Sequence, residues 1–330
     1  MNLRKQTILL FLVFFVPACI FTSGCSQKQK VYHVGILSGF DYFYTITDGF
    51  KEKMAELGYT EGKNIFYDVQ KTNVDIAAYR AILKKFVADK VDLIFVFPTE
   101  ASMEAKSVTQ GTGIPVVFAN VFTEGTNLVN SIREPGGNMT GVRWPGPDLA
   151  LERFEIMHEL LPLAKKMWVP YLKYPTVNSQ LETLRQTFKA AGVTMIEIPV
   201  TNAAEIESAM KKQAQLTGPP DAILTIVEPL ANMPDAFVIM AEFADKYKIP
   251  IGGAYMSIKG YESVFGIIPQ NIPQGRQAAF LADKILKGVP AGTIPVVSAE
   301  SYFQFNYKAA KKLGLKVDEG LLSKANEIIR

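Results

Sequence analysis

Residues 91–106, VDLIFVFPTEASMEAK, read as a buried strand running directly into a helix. Leu93, Ile94, Phe95, Val96 and Phe97 form an unbroken apolar run, the pattern of a parallel strand covered on both faces. Pro98 stops the run, Thr99 has the chemistry of an N-cap, and Glu100 suits the positive end of a helix. Backbone N–H groups at Thr99, Ala101 and Ser102, with the two hydroxyls, then stand at the carboxyl edge of a sheet. Open α/β sheets take their ligands at that edge, and a helix N-terminus favours an anionic or acceptor group. A bare strand–helix turn is the alternative.

The same alternation extends both ways. Upstream, residues 34–37 and 65–69 are apolar strands, and Ile46, Phe50, Met54 and Leu57 share a helical face closed by Gly58. Downstream, residues 115–119 form a fourth strand, and the turn at 135–138 precedes a fifth. A second run starts near Pro147, with helices centred on 151–161, 181–191, 206–214 and 237–247. Strands at 167–171, 194–198, 222–227 and 250–253 lie between them. Strands alternating with helices predict parallel sheets with right-handed crossovers, so two βα halves stand in tandem. The remainder from Val264 is too short for a third domain and must add to the other two.

Composition narrows the function. The chain has 330 residues, 48% hydrophobic and 20% charged, enough for a large core. Formal charge is +3; without Arg4 and Lys5, which lie in a segment expected to be removed, it is 3 − 2 = +1. No basic patch stands out, so nucleic acid is not expected as a partner. Cys19 and Cys25 are the only cysteines and His33 and His158 the only histidines, in no metal-ligand spacing. Thiol, zinc and His-based triad chemistry are therefore not expected, nor any metal or cofactor. Asp41 and Glu228 are the one acid–base pair to nominate for an enzyme, with no nucleophile or phosphate loop beside them.

Residues 1–25 read as an export signal. Arg4 and Lys5 are its basic start, and Thr7 to Phe21 is an uncharged stretch of 15 residues, short for a membrane span of about 20. Thr22-Ser23-Gly24-Cys25 resembles the lipobox of bacterial lipoproteins, with Thr22 where Leu is usual. That resemblance implies cleavage before Cys25 and its lipidation, with residues 26–30 as a polar tether. Val16-Pro17-Ala18-Cys19 is a second, truncating candidate, and a plain signal peptide or uncleaved anchor is the alternative.

Several stretches together resemble one family. They are Gly49-Phe50 with Glu56-Leu57-Gly58-Tyr59-Thr60-Glu61-Gly62-Lys63-Asn64, Lys90-Val91-Asp92-Leu93-Ile94 and Ile114-Pro115-Val116-Val117-Phe118. Pro135-Gly136-Gly137-Asn138-Met139-Thr140-Gly141-Val142, then Leu281-Ala282-Asp283-Lys284-Ile285-Leu286-Lys287-Gly288 with Ile294-Pro295-Val296, complete the set. From Val31 onward the chain is similar to the tryptophan/tyrosine-type substrate-binding lipoproteins of ABC transporters. The resemblance implies the type I periplasmic binding protein fold: α/β, two Rossmann-like lobes joined by a three-strand hinge, with the ligand between them. It implies residues 31–145 plus 264–299 in one lobe and 146–263 plus 300–330 in the other, crossing near 143–147, 260–263 and 297–302. It further implies no catalysis, a lipid-anchored extracytoplasmic monomer, and an ABC permease and ATPase as partners. A sensor presenting its ligand to a membrane receptor is the second reading.

Candidate ligand contacts follow from where the loops fall. Phe40, Asp41 and Tyr42 belong to an aromatic loop after the first strand, and Phe122 follows the fourth. Asn178 and Ser179 open a second-lobe helix as the mirror of Thr99. Glu228 and Tyr255 follow second-lobe strands, while a solvated loop tip is the alternative for Glu228. Trp144 sits at the first crossing, against hinge or ligand. In the family these segments often carry acids for a ligand ammonium; here Glu228 and Asp41 are the acids expected. Flat aromatic walls and an acceptor-binding turn point to a small aromatic or apolar solute with a carboxylate or similar group, ahead of a sugar.

Overall fold

The computed structural model describes residues 30–174, 177–228, 230, 233–254 and 257–330. Residues 1–29, which include Cys25 and the expected export signal, and Tyr255 lie outside the described residues.

In the stretch Leu93–Phe97 every side chain is buried, and the two faces go to different cores. Leu93, Phe95 and Phe97 enter one cluster, Ile94 and Val96 the other. A period of two inside an unbroken apolar run is what a strand with helices on both faces requires.

The first half runs β1 (Tyr32–Ser38), α1 (Thr45–Glu56), β2 (Ile65–Lys71), α2 (Ile76–Ala88), β3 (Leu93–Phe97), α3 (Thr99–Thr109), β4 (Val116–Val121) and β5 (Met139–Arg143). The second runs α4 (Gly146–Leu160), β6 (Lys166–Leu172), α5 (Val177–Ala190), β7 (Thr194–Val200), α6 (Ile206–Thr217), β8 (Ala222–Leu224), α7 (Pro234–Tyr247) and β9 (Ile251–Gly252). A short hairpin, β10 (Ser257–Ile258) and β11 (Tyr261–Glu262), follows. Then come β12 (Phe265–Pro269), α8 (Asn271–Leu286), β13 (Val297–Ser298), β14 (Ser301–Asn306), α9 (Tyr307–Lys312), α10 (Glu319–Lys324) and β15 (Glu327–Ile329).

The first-lobe sheet has the order β13-β5-β4-β3-β1-β2, all parallel. The second-lobe sheet, β7-β6-β8-β9, is also parallel. A bridge between Gly253 and Gly266 continues it into β12-β14-β15. Each sheet reverses its strand order once, between β1 and β3 and between β6 and β8. The loops beyond those carboxyl ends stand at the usual ligand position in this architecture.

The late elements join both sheets. Helix α8 packs on α1 and closes the first-lobe core through Ala278, Ala282 and Ile285. Strand β13 pairs with β5. But β12, expected in the first lobe from Val264 onward, pairs antiparallel with β14 and sends Phe265 and Ile267 into the second-lobe core. The chain thus returns to the first lobe after Pro269, because those two apolar side chains face the α4–α5 side.

Buried tyrosines set the alkaline limit of this fold. Tyr79 donates to Gly39 O at 2.6 Å, and burial, with Glu100 second, pushes its pKa from 10.0 up to about 12. Burial, with Glu197 second, does the same to Tyr171, also to about 12. Burial and then Asp283 raise Tyr59 as well. A folded pKa above the unfolded one gives stability that is complete below pH 10.0 and lost as pH rises toward 12. Denaturation midpoints should therefore fall through that window, with tyrosinate absorbance appearing together with loss of ellipticity. Full tyrosinate absorbance on a folded chain would contradict it.

Candidate functional site

The aromatic loop after β1 is divided by packing. Asp41–Phe43 form a single 3-10 turn. Phe43 turns into the first-lobe core, with the Phe40 ring edge-on at 5.4 Å. Tyr44 lies under Lys71, whose Nζ is 3.1 Å from the ring centre. Phe40 remains half-buried, Tyr42 is 63% exposed, and Asp41 is exposed. Asn271, first residue of α8, donates to Tyr42 O at 3.1 Å and to Thr45 Oγ1 at 3.2 Å. The start of α8, just after the second crossing between the lobes, therefore fixes the loop after β1.

The β3–α3 turn departs from its sequence reading. Helix α3 starts at Thr99 with Pro98 in the cap position, and no side chain caps it. Thr99 Oγ1 instead accepts the N–H of Phe122 at 3.1 Å, tying the end of β4 to the turn. Ser102 is fully buried and its hydroxyl donates to Pro98 O at 2.8 Å, the back-bond a helical serine makes when no other acceptor is offered. Ala101 is fully buried in the α2–α3 core. Ala101 and Ser102 are therefore packing residues in this structure, not an open turn. Thr99→Val keeps the shape and strands the Phe122 N–H; it should cost about 1 kcal/mol in a denaturant titration. A variant as stable as the parent would remove this role.

Phe122 leads to the first crossing. Its ring lies 6.4 Å from that of Trp144, which is buried. A Cβ on Gly146 would come within 3.3 Å of the Phe122 ring and 3.4 Å of the Gln180 side chain, so this glycine lets the two lobes' side chains approach. Gln180 is fully buried, and its amide brackets Val227, donating to O at 2.6 Å and accepting from N at 3.1 Å. It holds the segment after β8 against the start of α5. Asn178 and Ser179, expected to cap α5, lie inside its first turn, exposed and half-buried. The residue with the decisive contact is the next one along, and sequence reasoning missed it.

Glu228 is neither a solvated tip nor a free acid. It is 4% exposed, and its Oε2 accepts the N–H of Leu172 at 3.1 Å and of Leu230 at 2.7 Å. It clasps the end of β6 to the loop after β8. With Asp41 exposed on the opposite lobe, the two do not form an acid–base pair.

Polar contacts near the β3–α3 turn and the end of β5 cross between the lobes. Tyr174 donates to Glu100 Oε1 at 3.3 Å, and burial followed by the Glu100 charge raises the Tyr174 pKa. Arg143 at the end of β5 donates to Glu124 at 2.7 Å and also to Asp148 on α4. Sequence reading passed over Glu124, Arg143 and Gln180, since only distant chain segments give them meaning. A surface groove of about 470 Å³ between α6 and α7 is lined by none of these residues.

The fold has known counterparts. A family model described as ABC transporter substrate binding protein matches residues 34–329. A tyrosine-binding protein of Clostridioides difficile (strain R20291) is 29% identical over 285 residues, 83% of this chain and 78% of that one. A domain from Streptococcus pneumonia solved in complex with L-Trp superposes with a TM-score of 0.71 at 24% identity, over 91% of this chain and all of that one. The ligand-free, open structure of a substrate binding protein with adhesive properties from Clostridium difficile gives 0.74 at 23% identity, over 91% and 99%. The shared architecture is the two-lobed type I periplasmic binding protein fold. Substrate-binding proteins of ABC transporters are extracytoplasmic and bind solutes without transforming them, so the Asp41–Glu228 enzyme reading falls. Since the matched residues span both sheets and every crossing between them, this chain belongs to the family of ABC transporter substrate-binding proteins.

Proposed function

We propose that this chain captures a small aromatic solute with a carboxylate or other acceptor group between its two lobes and delivers it to an ABC importer. The observation that carries the reading is the aromatic surface beside the crevice: Phe40 and Tyr42 after β1, Phe122 and Trp144 at the first crossing. Flat, stiff rings give large contact area at small entropic cost. The relatives that bind tyrosine and L-Trp support an aromatic ring in the ligand. Residues 31–145 and 270–299 would make one lobe, 146–269 and 300–330 the other. We further propose a monomer, lipidated at Cys25 after loss of residues 1–24 and tethered by 26–30, with a permease and an ATPase as membrane partners.

A thermal-shift screen of aromatic acids, amino acids and sugars, followed by calorimetry, tests the ligand. An aromatic compound should bind tightest, and scattering should show a smaller radius of gyration at saturation, since closure adds contacts to both lobes. A monosaccharide as tightest ligand would overturn the reading. Mass spectrometry of the membrane fraction should find an acylated Cys25 at the N-terminus; soluble protein with residues 1–24 retained would reject the anchor.

A further inference from the structure

Glu100 and Tyr174 meet across the lobes from matching places. Glu100 lies in the first turn of α3, which follows β3. Tyr174 follows β6, and its carbonyl accepts the Val177 N–H that opens α5 at 3.0 Å. Each stands where a strand passes into a helix at the carboxyl edge of its own sheet. Both backbones are fixed within their lobes: Ser102 N–H donates to Pro98 O at 3.0 Å on one side, Lys173 N–H to Val200 O at 2.9 Å on the other. Only side chains reach across, the phenol O–H donating to Glu100 Oε1 at 3.3 Å.

Two features set this contact apart. Arg143 and Asp148 are 5 residues apart in the chain, so their tether keeps them within reach in any lobe orientation. Glu100 and Tyr174 are 74 apart, and their bond exists only when the lobes are brought together as observed. Second, among the described residues neither side chain has another hydrogen-bond partner; Tyr174 is 40% exposed and Glu100 half-buried. With the lobes apart both return to water, so neither lobe depends on the pair for its own packing. A carboxylate acceptor strengthens the bond, while solvent access keeps its worth small. Reversible closure needs such a bond, since a deeply buried one would hold the lobes shut.

We propose that Tyr174 and Glu100 are positioning residues that latch the two lobes in the closed form. The inference rests on the proposed capture of a solute between the lobes. It adds that this pair governs how long a captured solute is held, not which solute is chosen. An interaction made only in the closed form strengthens binding of every solute that closes the lobes, and by one common factor.

Calorimetry and stopped-flow release with L-tyrosine and L-tryptophan as probes, together with scattering of the ligand-free protein, test the latch. Tyr174→Phe, which keeps the ring, should weaken both probes by the same factor, about three- to tenfold, through faster release. Glu100→Ala should do the same, Glu100→Gln should lose less because an acceptor remains, and the double variant Tyr174→Phe with Glu100→Ala should be no weaker than either alone. The ligand-free radius of gyration should rise in Tyr174→Phe and in Glu100→Ala. An unchanged radius in both, additive losses in the double variant, or one probe weakened and the other spared would overturn the latch; the last result would make the pair a direct solute contact. If neither probe binds the parent, the aromatic reading falls, and the ligand-free radius alone decides the latch.

Discussion

Replacing Arg153 by Ala should destabilise the protein by about 3–5 kcal/mol, the scale for deleting a buried, fully bonded charge and leaving a cavity. The side chain is completely buried. Its guanidinium donates to Ile267 O from Nη2 at 2.7 Å and from Nε at 3.3 Å, and to Thr225 O from Nη1 at 3.1 Å. Burial lowers its pKa to about 9, a pull that Glu152 and Glu228 only partly offset. The charge therefore costs energy to bury, and what it returns is geometry: helix α4, the end of β8 and strand β12 are fixed by one group. Arg153→Met keeps the apolar stem but strands the two carbonyls, and should recover part of the loss. Urea titrations of both variants decide the point; a loss below about 1 kcal/mol for Arg153→Ala would show the carbonyls to be satisfied otherwise.

Gly275→Val should cost about 3 kcal/mol or more, by forcing α1 and α8 apart. A Cβ at Gly275 would stand 2.0 Å from Ile46 O and 2.6 Å from Phe50 N, both backbone atoms that no rotamer change can move. The contact is reciprocal, since a Cβ at Gly49 would be 2.1 Å from Ile272 O. Replacing a helix-interior glycine ordinarily gains up to about 1 kcal/mol in helix propensity, so here packing outweighs propensity. Helix α8 covers the first-lobe core and its Asn271 holds the aromatic loop after β1. The variant should thus melt earlier and also bind its ligand more weakly. An unchanged melting temperature would mean that the helices can separate at little cost.

Local pattern carried much of this fold. The run Leu93–Phe97 was legible as a doubly covered strand because burial on both faces demands apolar residues at every position. The tandem βα halves were legible for the same reason. Side chains with a single local role were read less well. Thr99 looks like a cap, yet its oxygen serves Phe122, 23 residues away. Glu228 looks like a loop tip, yet it receives an N–H from Leu172, 56 residues back.

What the sequence by itself determined is the order and type of the elements and the crevice they flank, because hydrophobic period and turn chemistry act between near neighbours. Only the tertiary structure decided which polar groups are free in that crevice. Ser102 and Glu228 are consumed by backbone partners, while Glu124, Arg143 and Gln180 acquire their roles from segments 5 to 47 residues distant. A hydrogen bond depends on position to a few tenths of an ångström, and chain neighbours alone do not set positions between two lobes to that accuracy.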